Sequence, residues 1–285
     1  MAQFRFDAIG TKWSVEFNLE QQAADALMEK VHERISSFDR AYSRFRADSL
    51  VTSMAKKAGT YELPSDAEPM IGLYFKLNKI TLGAMTPLIG QTLSDAGYNA
   101  DYTFVEKEMR EPPALSKVLE YDHPKLTLKK PALLDFGAAG KGYLVDIVSA
   151  LLKEGGATEG VVDAGGDIRV WGTLCEIGLE DPRDAAKVIG IAKIKDQSIC
   201  GSAGNRRAWG RFTHILDPRT LSSPTHIAAV WVVAKSAMLA DAMTTALYFV
   251  PPATLKREFE FEYLIMRPDN SVEISTRFPA TLFSK

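Results

Sequence analysis

Apolar and polar positions alternate at the start of the chain. Phe4, Phe6 and Ala8, then Trp13, Val15, Phe17 and Leu19, flank Gly10 with the period of two strands joined as a hairpin. The period then changes. From Gln21 to Phe38 the apolar residues Ala24, Leu27, Val31, Ile35 and Phe38 return every three or four positions, which predicts a long helix with one buried face. His32 lies on or beside that face with no metal-spaced partner, so packing is its expected role. Asp48 and Ser49 are placed to open a short helix. The spacing of Met70, Leu73, Tyr74, Leu77 and Ile80 predicts a second helix over Asp66 to Thr81, broken by the glycines at 83 and 90. From Ser94 to Lys130 the pattern weakens around Pro112-Pro113 and a mixed charge run from Glu106 to Glu111. A surface excursion is expected there, with strand signals resuming at Lys125 to Leu128.

The most ordered pattern follows, from Leu133 to Asp167. Leu133, Leu134 and Phe136 form a short apolar run that predicts a strand. Gly137, Gly140 and Gly142 make a tight loop, and Leu144, Ile147, Val148, Leu151 and Leu152 mark one side of a helix that ends at Gly155-Gly156. A second strand, Gly160 to Ala164, delivers Gly165, Gly166 and Asp167. Strands are expected at Val188 to Ile194, Arg211 to Ile215 and Ile227 to Ala234, and a helix over Ala237 to Val250. A closing hairpin is expected from Tyr263 to Met266 and Ser271 to Ser275. Strands and helices mix without strict alternation, which favours an α+β fold over a doubly wound sheet.

Composition narrows the classes. A chain of 285 residues with 46% hydrophobic and 25% charged residues is globular, with room for one large domain or two fused lobes. The formal net charge of −2 gives a nucleic-acid partner no support. Cys175 and Cys200 lack the spacing of a zinc site; a disulfide between them stays open, and nothing requires an oxidising compartment. The longest apolar stretch, Ile227 to Ala234, is too short to cross a bilayer, and the opening residues lack the apolar core of a signal peptide. A cytoplasmic location is therefore expected.

Several groups carry chemistry. A helix starting on the loop at Gly137 to Gly142 aims free N–H groups and its dipole at whatever lies outside, and Lys141 adds a full positive charge, a combination that favours an anion. The spacing Gly-x-x-Gly-Lys-Gly matches neither standard nucleotide fingerprint. Asp241 and Thr245 stand four residues apart, on one face of an otherwise small and apolar helix. Oxygen donors of this kind suit a hard cation such as Mg²⁺, although a helix-start acid and a back-bonding threonine need no ligand. His214 and Asp217 flank a strand ending in an Asp-Pro turn, where a carboxylate can orient a proton-transferring imidazole or merely shape the turn. Arg40, Arg44 and Arg46 interleave with Tyr42 and Phe45, a mixture able to stack a planar ring or bind phosphate. Cys200 to Gly204 reads as a small flexible loop with hydroxyl and N–H donors.

Together these pieces resemble the FAD:protein FMN transferases, the ApbE-like family. The resemblance runs through Ile9-Gly10-Thr11 with Trp13, Tyr42-Ser43-Arg44-Phe45 with Asp48-Ser49, and Gly83-Ala84. It continues through Leu134-Asp135-Phe136-Gly137 to Lys141-Gly142-Tyr143, Gly165-Gly166-Asp167, Gly201-Ser202, His214 to Thr220, and Met238 to Ala242. It implies an ApbE-like fold of mixed, largely antiparallel sheets with packed helices, as a single domain over 1–285 or as two lobes with the active site between them. It also implies a Mg²⁺-dependent enzyme that cleaves the FAD pyrophosphate and attaches FMN to a threonine of an acceptor protein, such as an electron-transfer flavoprotein subunit or domain, releasing AMP. On that resemblance Asp241 and Thr245 hold the metal with the carbonyl of Ala138. Ile9, Phe45, Ala84, Met85, Thr86, Asp135, Lys141 and Ile215 line the FAD site, and His214, helped by Asp217, moves the proton.

Two positions depart from the family pattern: Ile9 stands where relatives carry Met, and Thr86 where they carry Asp before the proline. Many relatives are exported lipoproteins, and no lipid-attachment cysteine lies near this start. Two other functions use the same features: hydrolysis of FAD to FMN and AMP, with water as acceptor, and flavin binding without turnover.

Overall fold

In the computed structural model, which describes residues 1–283, the chain opens on the expected hairpin. The last two positions of the domain expected over 1–285 lie outside the described residues. Strands β1 (Ala2–Ala8) and β2 (Thr11–Phe17) pair antiparallel from Ala2 with Phe17 to Ala8 with Thr11. The two residues between them are both left-handed, Ile9 at φ 45° and Gly10 at φ 72°, the turn whose twist matches that of the flanking strands. Helix α1 (Gln21–Tyr42) buries the five predicted apolar positions and runs four residues past the predicted end at Phe38. His32 meets Phe6 edge-on with ring centroids 4.5 Å apart, a packing contact. Ser49 caps α2 (Leu50–Lys56) by accepting the Thr52 amide at 3.1 Å.

Strand β3 (Gly59–Glu62), helix α3 (Glu68–Ile80), helices α4 (Gly90–Asp95) and α5 (Leu115–Val118), and strands β4 (Leu119–Asp122) and β5 (Lys125–Leu128) follow. The three strands form a small antiparallel sheet with β5 in the middle. Between α4 and α5 the excursion has no regular structure, yet it is tied down. The buried Asp95 carboxylate accepts Arg110 Nε at 2.8 Å and Nη2 at 2.6 Å, and Met109 packs on a small core of Leu93, Ala96, Phe212 and Leu216.

Leu133 to Phe136 is not a strand. The Asp135 amide donates to the Pro87 carbonyl at 2.8 Å, and Phe136 fits edge-on between Tyr42 and Tyr74, 5.6 and 5.5 Å away. The run is apolar because it fills the core beside α1 and α3, and a short apolar run does not by itself distinguish that role from a sheet.

Helix α6 (Gly140–Glu154) leads to β6 (Gly160–Ala164) and β7 (Asp167–Trp171), then to a long hairpin of β8 (Leu174–Asp181) and β9 (Asp184–Lys195). β10 (Ser198–Ala203) occupies most of the segment expected as a flexible loop, and the strand expected at Arg211 to Ile215 shrinks to β12 (Phe212–Thr213), paired with β11 (Ala208–Trp209). The chain ends with β13 (Ala229–Ala234), α7 (Ala237–Ala246), which stops four residues before Val250, α8 (Pro252–Leu255), the hairpin β14 (Glu262–Met266) and β15 (Val272–Ile274), and β16 (Ala280–Leu282).

The architecture is α+β. Eight strands form one wholly antiparallel sheet in the order β1-β2-β6-β7-β10-β13-β14-β15. Helices α6 and α7 cover one face, and β8, β9 and β16 cover the other as a second sheet. This explains the reading of β13 as an unbroken apolar run: Val230, Val232 and Ala234 enter the helix-side core, while Ala229, Trp231 and Val233 enter the core between the sheets. Cys175 and Cys200 are both free. No helix among the described residues is long and apolar enough to cross a membrane.

Candidate active site

Two acids build the start of α6, and a third, on α6 itself, caps α7. Asp135 Oδ1 accepts the Gly137 amide at 2.7 Å, which turns the chain toward the helix, while Oδ2 is held by Arg44 Nε. Asp241 Oδ2, on α7, accepts the Gly142 amide at 2.9 Å. In return Asp146, on α6, accepts the Ala237 and Met238 amides at 2.8 Å each and so caps α7. Each helix thus supplies a carboxylate to the other's first turn. The two can meet only because residue 142 is glycine: a Cβ there would lie 2.2 Å from the Ala237 carbonyl oxygen and 2.7 Å from Asp241 Cβ.

Beside this crossing lies a cavity of about 580 Å³, the size of a dinucleotide-type ligand site. Lys141 reaches across it to the Asp167 carboxylate and to the Ala164 carbonyl at 3.1 Å. Burial works against the Lys141 charge, but Asp167 and Asp241 outweigh it and hold the ammonium above its ordinary range. Asp241 is pushed the other way: burial, and next the like charge of Asp167, raise its carboxyl far above the usual carboxylate range. His214 is held down to about 4 by burial and then by the Arg207 charge, so its imidazole is neutral at pH 7. Its Nδ1 is buried without a hydrogen-bond partner.

Ile9, Phe45, Ala84, Met85, Thr86, Asp135, Ala138, Lys141, His214, Ile215, Asp241 and Thr245 all line this one cavity. Asp217 does not. Its carboxylate accepts Arg219 Nε at 2.9 Å and Nη2 at 2.6 Å, its backbone bridges to Ser222, and it lines a smaller neighbouring pocket. The expected orientation of His214 by Asp217 is therefore not formed, and Asp217 shapes the turn that carries the histidine.

The cavity also gathers residues outside the candidate set. Asp167 had a signal, the glycine pair before it. Gly165, at φ 64°, has no room for a side chain because a Cβ would meet Thr11 Oγ1 at 2.0 Å. Arg44 had a weaker one, the arginine and aromatic interleaving. Arg207, Tyr98 and Tyr102 had none: Arg207 ends a single 3-10 turn, Gly204–Arg207, and the two tyrosines lie in irregular chain that only the fold brings to the wall.

A sequence model of the ApbE family matches residues 9–263, most of the chain. The chain belongs to the ApbE family. It is 26% identical over 300 residues to the FAD:protein FMN transferase of Haemophilus influenzae, with 92% of this chain and 85% of that one covered. It is 27% identical over 248 residues to the enzyme of that name from Vibrio cholerae, covering 80% and 72%. Its fold matches the flavin transferase ApbE from Vibrio cholerae with a TM-score of 0.81 at 19% identity over 97% of both chains. It matches the ApbE protein of Thermotoga maritima with a TM-score of 0.81 at 22% identity, over 96% of this chain and 97% of that one.

Against the ApbE pattern, the two departures keep their local geometry. The Thr86 hydroxyl accepts the Leu88 amide at 3.2 Å and caps the turn at Pro87–Ile89, the service a side-chain carboxylate performs at the same place. Ile9 keeps a left-handed backbone despite its β-branch, a conformation sustained where surrounding structure fixes it, here by the hairpin. The donor set suits a hard cation. The Asp241 carboxylate has the Gly142 amide as its one hydrogen-bond partner among the described residues, Thr245 sits one turn on, and Ala138 lines the same cavity. A buried carboxylate pushed toward its protonated form lacks positive charge, which a cation supplies. No group of three or more His, Cys, Asp or Glu side chains suited to a metal occurs among the described residues.

Proposed function

We propose that this chain is a Mg²⁺-dependent FAD:protein FMN transferase that joins FMN through a phosphoester to a threonine of an acceptor protein and releases AMP. One observation carries the reading: family-motif residues from the first hairpin to α7 converge on a single cavity around a lysine, a carboxylate and a hydroxyl. Walls drawn from both ends of the chain also support reading it as one domain. Asp241, Thr245 and the Ala138 carbonyl would hold the ion, whose contribution when bound is to neutralise the diphosphate. Lys141 faces the same negative charge, while the amides of Gly137, Ala138, Ala139, Gly140 and Gly142 are already held within the protein.

The neutral His214 supplies a nitrogen that takes the proton of the attacking threonine hydroxyl. The new bond joins that oxygen to the FMN phosphorus, the bond from this phosphorus to the bridging oxygen breaks, and AMP departs with the electron pair. Asp217 and Arg219 hold the turn from which His214 extends. Incubation with FAD, Mg²⁺ and a threonine-bearing flavoprotein acceptor tests the reading. Covalent flavin fluorescence on the acceptor with stoichiometric AMP is expected. AMP without labelling would make the protein a hydrolase, and neither product would overturn catalysis altogether.

A further inference from the structure

Resting on the flavin-transferase reading, we propose that Arg44 is a specificity-determining residue that donates from Nη2 to a carbonyl oxygen on the pyrimidine edge of the isoalloxazine ring. The Arg44 side chain is only 2% exposed, yet it lines the cavity. Nε is used by Asp135, and Nη1 donates to the Tyr98 carbonyl at 2.7 Å. Nη2 is buried with no partner among the described residues. A guanidinium is all donor, and leaving such a group buried and unpaired costs more than most hydrogen bonds return. The described residues offer Nη2 no acceptor, so the acceptor comes with the ligand.

The surroundings say what kind of acceptor. The guanidinium carbon lies 4.2 Å from the Phe45 ring centroid and 4.9 Å from that of Tyr98. Tyr102 is stacked on Phe45 at 5.3 Å and 4°. A cavity wall made of such a ring cluster suits a planar group. FAD has two. The adenine edge mixes ring nitrogens with an amine donor that would repel a guanidinium, whereas the pyrimidine end of the flavin ring carries two carbonyl oxygens either side of one N–H. Asp135 does not supply the missing partner: it accepts the Gly137 amide and Arg44 Nε, and Nη2 makes no bond to it. Fixed on three sides, the guanidinium is pre-set for one planar edge, a geometry that lysine does not reproduce.

The test measures dissociation constants of FAD, 2-thio-FAD, 4-thio-FAD and ADP-ribose for the wild-type protein and Arg44→Lys, which keeps the charge beside Asp135. Sulfur is a weak acceptor, so in the wild type one of the two thio analogues is expected to bind about tenfold more weakly than FAD. Arg44→Lys should bind FAD about tenfold more weakly, lose that discrimination and leave ADP-ribose unchanged. Equal binding of all three flavins by the wild type overturns the proposal without need of any variant. So does discrimination that persists in Arg44→Lys, or an equal loss for ADP-ribose, which would put the contact on the phosphates or the adenine. Failure of the wild type to bind FAD at all would instead remove the flavin-transferase reading.

Discussion

Replacing Gly142 by Ala tests the helix crossing on which the site stands. The added methyl would start 2.2 Å from the Ala237 carbonyl oxygen, whereas real Cβ contacts keep at least 3.0 Å. The obstacle is backbone, so α7 must retreat from α6 by roughly 0.8 Å in a close-packed interior. Such overpacking costs about 1–3 kcal/mol. Losing the 2.9 Å bond from the Gly142 amide to Asp241 adds about 1 kcal/mol. The better helix propensity of alanine returns about 0.5–1 kcal/mol. A net loss of about 1–3.5 kcal/mol lowers the unfolding midpoint by roughly 2–14 °C. Gly72→Ala in α3 is the control: nothing lies within 4 Å of its added Cβ, so it should add about 0.5–1 kcal/mol of stability and raise the midpoint slightly. Calorimetric scans of both variants, with titration of Mg²⁺ in the AMP-release assay, give the answer. Gly142→Ala is expected to melt early and to need more Mg²⁺, because Asp241 moves with α7. A midpoint shifted upward as in the control, with an unchanged Mg²⁺ requirement, would refute the tight crossing.

Asp241→Ala should lower Mg²⁺-dependent AMP release by more than about a hundredfold while FAD still quenches tryptophan fluorescence; unaltered turnover removes Asp241 from the metal site. His214 binds its proton near pH 6.5 in the unfolded chain and only near 4 in the folded one. Stability should therefore fall as pH drops through that window, by up to roughly 3 kcal/mol. His214→Gln should flatten that part of a denaturant-measured stability profile and lower kcat more than it raises KM for FAD. Thr86→Ala should cost about 1 kcal/mol by uncapping the Leu88 amide while Thr86→Asp costs little, a difference readable in thermal midpoints; equal losses would show that the hydroxyl has no capping role.

Local order was legible in the residues themselves. The helical spacing of Ala24, Leu27, Val31, Ile35 and Phe38 and the alternation in the two terminal hairpins survive folding because each element buries one face of its own sequence. The candidate site residues, except Asp217, reach one cavity, since glycine turns, a helix-start lysine and an acid-hydroxyl pair bear local signatures. Tertiary structure decided the rest. Leu134 and Phe136 are apolar for the sake of aromatic neighbours far away in sequence, and no local period distinguishes that from a strand. Cys200 to Ala203 became a strand because β7 and β13 flank it. Asp217 went to Arg219 instead of His214, and Arg44 and Tyr98 became a cavity wall. Periodicity is a property of one segment, but the partner a side chain meets is a property of the whole packing, which only the folded chain computes.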